Sequence, residues 1–169
     1  MRIGVISDTH GRLEARVLDL FQGVERILHA GDVGSEEVLE RLESVAPVTA
    51  VHGNVDEGPL VERLREVEWL EAGGLRFLIL HQIGSPGCLA EPARLRIRER
   101  RPDVVVFGHT HAVCDRVVDG VRFLNPGGSG PRRFGLPRTV ALLEASRGEI
   151  EVRFVGIDAP GLEREGENR

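Results

Sequence analysis

Five short polar clusters each follow an apolar, β-branched run, and this pattern constrains the fold more than any other feature of the chain. An apolar run of this length predicts a buried strand, and the residue after its carboxyl end lies at the edge of a sheet. Open α/β sheets bind their ligands at that edge, so we expect the clusters to meet in one site. In chain order the clusters are Asp8-Thr9-His10, Gly31-Asp32, Gly53-Asn54, His81 and Gly108-His109-Thr110-His111.

Strand and helix patterns alternate through the first half of the chain. They predict strands at 2–7, 25–29 and 47–52, helices at 12–22 and 36–44, and a short helix from Gly58-Pro59 to about Arg65. This βαβαβ order is typical of a parallel sheet with right-handed crossovers.

The second half contains more strands than helices. Hairpins are predicted at 67–80 and 113–124, a helix from Pro92 to about Arg100, and strands at 103–107, 139–145 and 150–155. The mixture predicts an α/β fold in which two packed mixed β-sheets are flanked by helices. We expect residues 1–157 to form a single domain and residues 158–169 to form a polar, frayed C-terminal tail.

Composition excludes several classes of protein. The formal net charge of −5 argues against a chain whose main task is to grip a nucleic-acid backbone, so nucleic acid is not an expected partner. No apolar run is long enough to span a bilayer, and Asp8 interrupts the start before a signal peptide could form, so we expect a cytoplasmic protein without a membrane partner. Cys88 and Cys114 predict free thiols. The sequence leaves open whether copies of the chain form a homo-oligomer.

The polar clusters supply Asp, His and Asn but no Cys, which is an oxygen and nitrogen ligand set for divalent metals. A single Asp or His at a strand end is usually structural, whereas five clusters in equivalent positions favour a metal site. Seven such groups exceed what one tetrahedral ion can take, so two ions that share a bridging carboxylate fit better. Such a pair can hold a bridging hydroxide. Mn, Fe, Co, Ni and Zn all suit these ligands, and we favour Mn.

The ordered set Asp-x-His, Gly-Asp, Gly-Asn, His and Gly-His-x-His resembles the calcineurin-like metallophosphoesterase superfamily over about residues 1–131. The short chain and Gly53-Asn54-Val55-Asp56 are similar to its small phosphodiesterase subfamily, which also includes the retromer scaffold subunit. The resemblance implies an αββα sandwich in which Asp32 bridges two ions. It implies that the first ion is held by Asp8, His10, Asp32 and His111, and the second by Asp32, Asn54, His81 and His109.

Three positions depart from the family pattern. Many members carry Gly-Asn-His, where the His serves as general acid or stabilises the leaving group, but Val55 stands there in this chain. Nearby His52 is a candidate donor, although a strand-end His is more often structural. Gln82 replaces the commoner Gly after His81, and Asn125-Pro126-Gly127-Gly128-Ser129 carries one extra Gly relative to the subfamily's turn.

We therefore expect a two-metal phosphodiesterase in which a metal-bridging hydroxide attacks the phosphorus of a small phosphodiester substrate. Asn54, Arg132 and Arg133 are candidate substrate-binding residues, the arginines because a guanidinium can bind phosphate through two hydrogen bonds. One alternative is a non-catalytic or weakly catalytic scaffold of the same fold that binds a partner protein. A second alternative is a nuclease, against which the negative net charge argues.

Overall fold

Two mixed β-sheets form the centre of the computed structural model, which describes residues 1–158 and 163–165. The strands are β1 (Arg2–Ile6), β2 (Arg26–Ala30), β3 (Val48–Val51), β4 (Val67–Ala72), β5 (Leu75–Leu80), β6 (Gly84–Ser85), β7 (Cys88–Leu89), β8 (Val104–Val106), β9 (Val113–Val118), β10 (Val121–Pro126), β11 (Thr139–Ser146), β12 (Glu149–Gly156) and β13 (Glu163–Glu165). The helices are α1 (Ala15–Leu20), α2 (Glu36–Glu43), α3 (Pro59–Arg63) and α4 (Glu91–Arg100).

Strand order brings the ends of the parallel strands together. The first sheet has the order β13-β12-β11-β1-β2-β3, in which β1, β2 and β3 run parallel and β11 lies antiparallel to β1. The second sheet has the order β4-β5-β8-β10-β9, with β5, β8 and β10 parallel. Each sheet therefore delivers the carboxyl ends of three neighbouring strands to one edge, and for the first sheet the alternating pattern predicts this.

Three apolar clusters hold the layers together. Alternate side chains of the two sheets, such as Val5 and Ile79, pack between the sheets. The outer face of the first sheet is covered by α1 and α2, where Phe21 lies against Gly4 so closely that a Cβ at Gly4 would meet its ring at 2.9 Å. The outer face of the second sheet packs against α4 through residues such as Ala93. The result is the expected order of helix, sheet, sheet and helix.

The first helix is shorter than the predicted span of 12–22. The Arg12 N–H donates to the carbonyl of Thr9 in a turn, and Glu14 has extended backbone angles, so the helix begins only at Ala15. The two-residue ribbon formed by β6 and β7 was not predicted, because two residues are too few to leave a hydrophobic period.

The expected frayed tail contains structure where it is described. Asp158 accepts hydrogen bonds from Arg132 and Arg138, and residues Glu163–Glu165 pair with β12. The remaining tail residues, 159–162 and 166–169, lie outside the described part of the chain. Within the described part, Cys88 and Cys114 are free thiols as predicted, and no helix there combines the length and apolar content needed to cross a membrane.

Candidate metal centre

The seven predicted ligand residues lie together at the edge where the parallel strands of both sheets end. His10 Nε2 and His111 Nε2 lie 3.3 Å apart, and His111 Nε2 is 3.4 Å from Asp8 Oδ1. His81 Nε2 lies 3.1 Å from Asn54 Oδ1, and the His81 and His109 rings meet edge to face. We call these residues the ligand set: Asp8, His10, Asp32, Asn54, His81, His109 and His111.

Within the ligand set, two triads have ligand atoms close enough to surround an ion. One consists of Asp8, His10 and His111 and the other of Asp8, Asp32 and His81, with all ligand atoms of a triad within 4.8 Å of one another. Asp8 belongs to both triads, and Asp32 also links them, because its Oδ2 lies 3.8 Å from His10 Nε2 while its Oδ1 lies 3.3 Å from His81 Nε2. The geometry therefore provides two neighbouring positions with carboxylates between them.

Burial makes the two carboxylates depend on a nearby positive charge. Burial raises the pKa of Asp8 to about 6, although hydrogen bonds from Ser7 and from the His109 N–H act in the opposite direction. Burial also opposes ionisation of Asp32, but the hydrogen bond and charge of His81 and the Val55 N–H lower the pKa of Asp32 to about 2. A divalent ion would supply the missing positive charge at Asp8, so the donor set fits a metal.

The imidazoles also fit metal binding. Burial lowers the pKa of His10 and His109, and burial together with the neighbouring His10 ring lowers the pKa of His111 to about 4. These rings are therefore neutral and keep a lone pair for a ligand. His81 Nδ1 donates to the carbonyl of Ala30 at 2.8 Å, which turns its Nε2 towards Asp32 in the arrangement common for metal-bound histidines.

Most of the ligand set has a left-handed backbone, which only glycine adopts without strain. Five of its seven members have a φ between 47° and 67°. These are Asp8, His10, Asp32, His109 and His111. Non-glycine residues in this region concentrate at functional sites, because the surrounding structure must hold them against the steric cost. The backbone thus changes direction at these five residues, within a few positions of a strand end.

One glycine makes room for the central carboxylate. A Cβ at Gly53 would lie 2.0 Å from Asp32 Oδ1, so no larger residue fits at this position without displacing Asp32. The Gly-Asn pair after β3 therefore has two uses, because Gly53 lets the backbone approach Asp32 and Asn54 delivers an amide to the site.

Sequence reasoning missed the role of Asp56. This buried carboxylate accepts hydrogen bonds from the N–H groups of Val33 at 3.0 Å, Gly34 at 2.7 Å and Gly53 at 2.8 Å. It therefore joins the loop that carries Asp32 to the loop that carries Asn54. In the sequence, Asp56 is visible only as an acid two residues after Asn54. Asp is common in loops because its side chain hydrogen-bonds to nearby backbone groups, so its presence did not indicate this role.

The end of β10 and the glycine-rich loop that follows it hydrogen-bond to the backbones that carry the site residues. Asn125 Nδ2 donates to the carbonyl of Gly108 at 2.8 Å, the N–H of Ser129 donates to Ser7, and the N–H of Gly130 donates to Asp8. This loop fixes the backbones that carry Asp8 and His109. The extra Gly128 has a use as well, because a Cβ there would lie 2.6 Å from the His111 ring.

A buried histidine supports the first triad. His29 is fully buried, and its Nε2 lies 2.9 Å from the hydroxyl of Thr9, the residue between Asp8 and His10. The Thr9 hydroxyl also donates to the carbonyl of Val33 at 2.8 Å. His29 therefore stabilises the turn that carries Asp8 and His10.

The other predicted site residues have different surroundings. Arg132 is held by the Asp158 carboxylate, whereas the charge of Arg133 is close enough to lower the pKa of His10 and His111. His52 lines a pocket whose wall also includes Asn54. Substrate and proton-donor roles for these side chains stay predictions, with Arg133 better situated than Arg132.

Gln82 contacts the ligand set directly. Its Nε2 donates to Asn54 Oδ1 at 2.8 Å and lies 3.2 Å from His109 Nδ1. Gln82 therefore orients two members of the ligand set that come from different sheets, which the sequence alone did not indicate.

The fold and the cluster of Asp, His and Asn side chains are those expected of a metallophosphoesterase-like protein, and comparison with known proteins agrees. The family model for the calcineurin-like phosphoesterase superfamily domain matches residues 1–148, so the chain belongs to that superfamily.

Two curated relatives and one solved structure are similar over nearly the whole chain. A probable metallophosphoesterase of Methanothermobacter thermautotrophicus is 34% identical and covers 95% of each chain. A phosphodiesterase of Methanocaldococcus jannaschii is 32% identical over 88% of this chain and 96% of its own. A double mutant of Vps29 from Entamoeba histolytica has a TM-score of 0.78 at 25% identity, covering 99% of this chain and 100% of that one.

Proposed function

We propose that this chain is a phosphodiesterase that works with two divalent metal ions held by the ligand set. The position of Asp32 carries the proposal, because its two oxygens face His10 at 3.8 Å and His81 at 3.3 Å. A carboxylate placed in this way can serve two ions at once and offset their mutual repulsion. Similarity to a phosphodiesterase of M. jannaschii supports diesters as the substrate class.

The residues divide between the two ions as the family resemblance implies. Asp8, His10, Asp32 and His111 would hold the first ion, and Asp32, Asn54, His81 and His109 the second. Bound there, the ions would activate a water molecule for attack on phosphorus and neutralise charge on the phosphoryl oxygens. Among Mn, Fe, Co, Ni and Zn we favour Mn.

The protein's own side chains prepare the site for an anionic diester. The Asn54 amide lies at the rim and can donate to a phosphoryl oxygen while its Oδ1 faces His81. Arg133 adds positive charge beside His10 and His111. Together these groups attract and orient the phosphate without forming a covalent intermediate.

Val55 stands where many members of the superfamily carry a His that acts as general acid. The Val55 N–H donates to Asp32 Oδ1 at 3.1 Å, while its apolar side chain is 45% exposed. A valine cannot protonate a leaving alkoxide, so the proton must come from solvent or from another group such as His52. We therefore propose that the enzyme favours diesters with good leaving groups.

Metal reconstitution tests this function. Metal-stripped protein is reloaded with Mn²⁺, Fe²⁺, Co²⁺, Ni²⁺ or Zn²⁺ and assayed on phosphomonoesters, phosphodiesters and cyclic nucleotides. We expect turnover only with metal, two ions per chain by elemental analysis, and diesters hydrolysed faster than monoesters. Absence of metal-dependent turnover on every substrate would contradict the proposal.

A protein-binding scaffold is the second candidate function, and similarity to Vps29 at a TM-score of 0.78 favours it. The complete ligand set argues for the enzyme, because a surface that only binds protein has no need of buried, strained carboxylates and imidazoles. The same reconstitution separates the two, since a scaffold predicts no turnover with any of the metals. A nuclease is disfavoured by the net charge of −5.

A further inference from the structure

A pocket of about 170 Å³ opens beside the ligand set and shares Asn54 and His81 with it. We call this the side pocket, and its other walls include His52, Glu66, Val67, Leu80, Ala93 and Arg96. At about 30 Å³ per water molecule, the volume holds roughly five or six waters, which is the size of one small ring with its substituents. The side pocket therefore has room for one arm of a phosphate ester.

The walls of the side pocket combine apolar side chains with one cationic and one anionic side chain. Leu80 and Ala93 are buried and form part of the floor, while Arg96 and Glu66 are exposed at the pocket wall. Among the described residues, neither Arg96 nor Glu66 has an ion-pair partner, so both are available to a ligand.

The charged and apolar walls of the side pocket favour some substituents of a phosphate ester over others. A second phosphate would be attracted by Arg96 but repelled by Glu66. A purely apolar ring would remove both charged groups from water without replacing their hydrogen bonds. A hydroxyl group both donates and accepts, so a hydroxylated ring can satisfy Glu66 and Arg96 while its apolar face packs on Leu80 and Ala93.

Building on the proposed phosphodiesterase function, we propose that the side pocket binds one ester arm of the substrate and that this arm is a sugar-sized, hydroxylated group. Arg96 donates to one hydroxyl of the arm and Glu66 accepts from another. The natural substrate class is then the phosphodiesters of sugars or short polyols.

Two substrates with the same leaving group test the proposal. Both are p-nitrophenyl phosphodiesters, one with a methyl group as the second arm and one with ribose joined through its 5-hydroxyl. We expect kcat/KM to be higher for the ribosyl compound, and we expect Arg96→Gln and Glu66→Gln each to reduce this preference about tenfold, the effect of one lost hydrogen bond to a charged group. Arg98→Gln is the matched control, because Arg98 is exposed on the same helix outside the side pocket and should keep the preference.

A binding measurement separates failure of the side pocket from failure of the proposed function. Methyl phosphate and ribose 5-phosphate are titrated into the protein and followed by the amide NMR signals of Val67 and Ala93. We expect tighter binding of ribose 5-phosphate, with shifts at both amides that are lost in Arg96→Gln. If neither diester is hydrolysed but this binding is seen, the enzyme proposal fails and the side pocket stands. Equal binding of the two phosphates, or a preference unchanged by both substitutions, overturns the side pocket proposal.

Discussion

Replacing Asp56 with alanine is expected to lower the free energy of unfolding by about 4 kcal/mol. The carboxylate accepts three backbone hydrogen bonds, from Val33, Gly34 and Gly53, and it is 6% exposed. Each buried N–H left without an acceptor costs roughly 1–3 kcal/mol, and water entering the space left by the side chain recovers part of the sum. A loss of about 4 kcal/mol is large for one substitution and is characteristic of a broken buried network.

Urea denaturation of the metal-free protein measures this loss. Asp56→Asn keeps the shape and one acceptor oxygen, but its NH₂ group would face a backbone N–H, and two donors cannot hydrogen-bond to each other. The free energy of unfolding should therefore fall by about 2 kcal/mol. Glu57→Ala changes the neighbouring exposed acid and should stay within about 0.5 kcal/mol of the parent. A loss below about 1 kcal/mol for Asp56→Ala, or an equal loss for Glu57→Ala, would refute the reasoning.

Three further predictions concern the site and its support. Asp32→Asn should lower kcat more than a substitution at any residue that binds only one of the two proposed ions, because the Asp32 carboxylate serves both. A normal metal content by elemental analysis together with a near-normal rate would contradict the bridging assignment. Because Val55 is no acid, the dependence of kcat on leaving-group pKa should be steep, since general acids typically contribute about 10²–10⁴-fold. A flat dependence would point to another donor, and His52→Ala would then selectively slow poor leaving groups. Burial lowers the pKa of His29 to about 4, so this residue's contribution to stability is complete above about pH 6.5 and declines as the pH falls towards 4. Urea unfolding at pH 7.5 and 4.5 should show up to about 3 kcal/mol more acid sensitivity in the parent than in His29→Gln, and equal sensitivity would exclude this role.

The sequence predicted the strands because their apolar runs are long and rich in β-branched residues. Val104–Val106 and Val48–Val51 lie inside the predicted spans, and the polar residues after such runs meet as expected. The alternation of strands and helices also predicted the parallel core of the first sheet. Local patterns were sufficient because each of these features depends on only a few neighbouring residues.

Contacts between distant loops were not predictable in the same way. Asp56 reaches backbone groups more than twenty residues away, and Ser129 reaches Ser7 across 122 positions. Nothing in the local sequence indicates which backbone a loop side chain will meet. The predicted start of α1 at residue 12 was wrong for a related reason. The turn between Thr9 and Arg12 takes up the first residues of an otherwise helical pattern.

The left-handed backbone of five residues of the ligand set makes some substitutions to glycine favourable for folding. A non-glycine residue in this conformation costs roughly 1–2 kcal/mol relative to glycine. Replacing His109 with glycine would therefore relieve strain while abolishing a proposed ligand, whereas at Asp8 the same change would leave the His109 N–H without its acceptor. If the proposed metal function were lost, a descendant of this chain could gain stability by giving up a strained residue such as His109. Loss of the proposed catalysis would then be favoured by folding itself, whereas recovery of the site would require the strained residue to be restored against that gain.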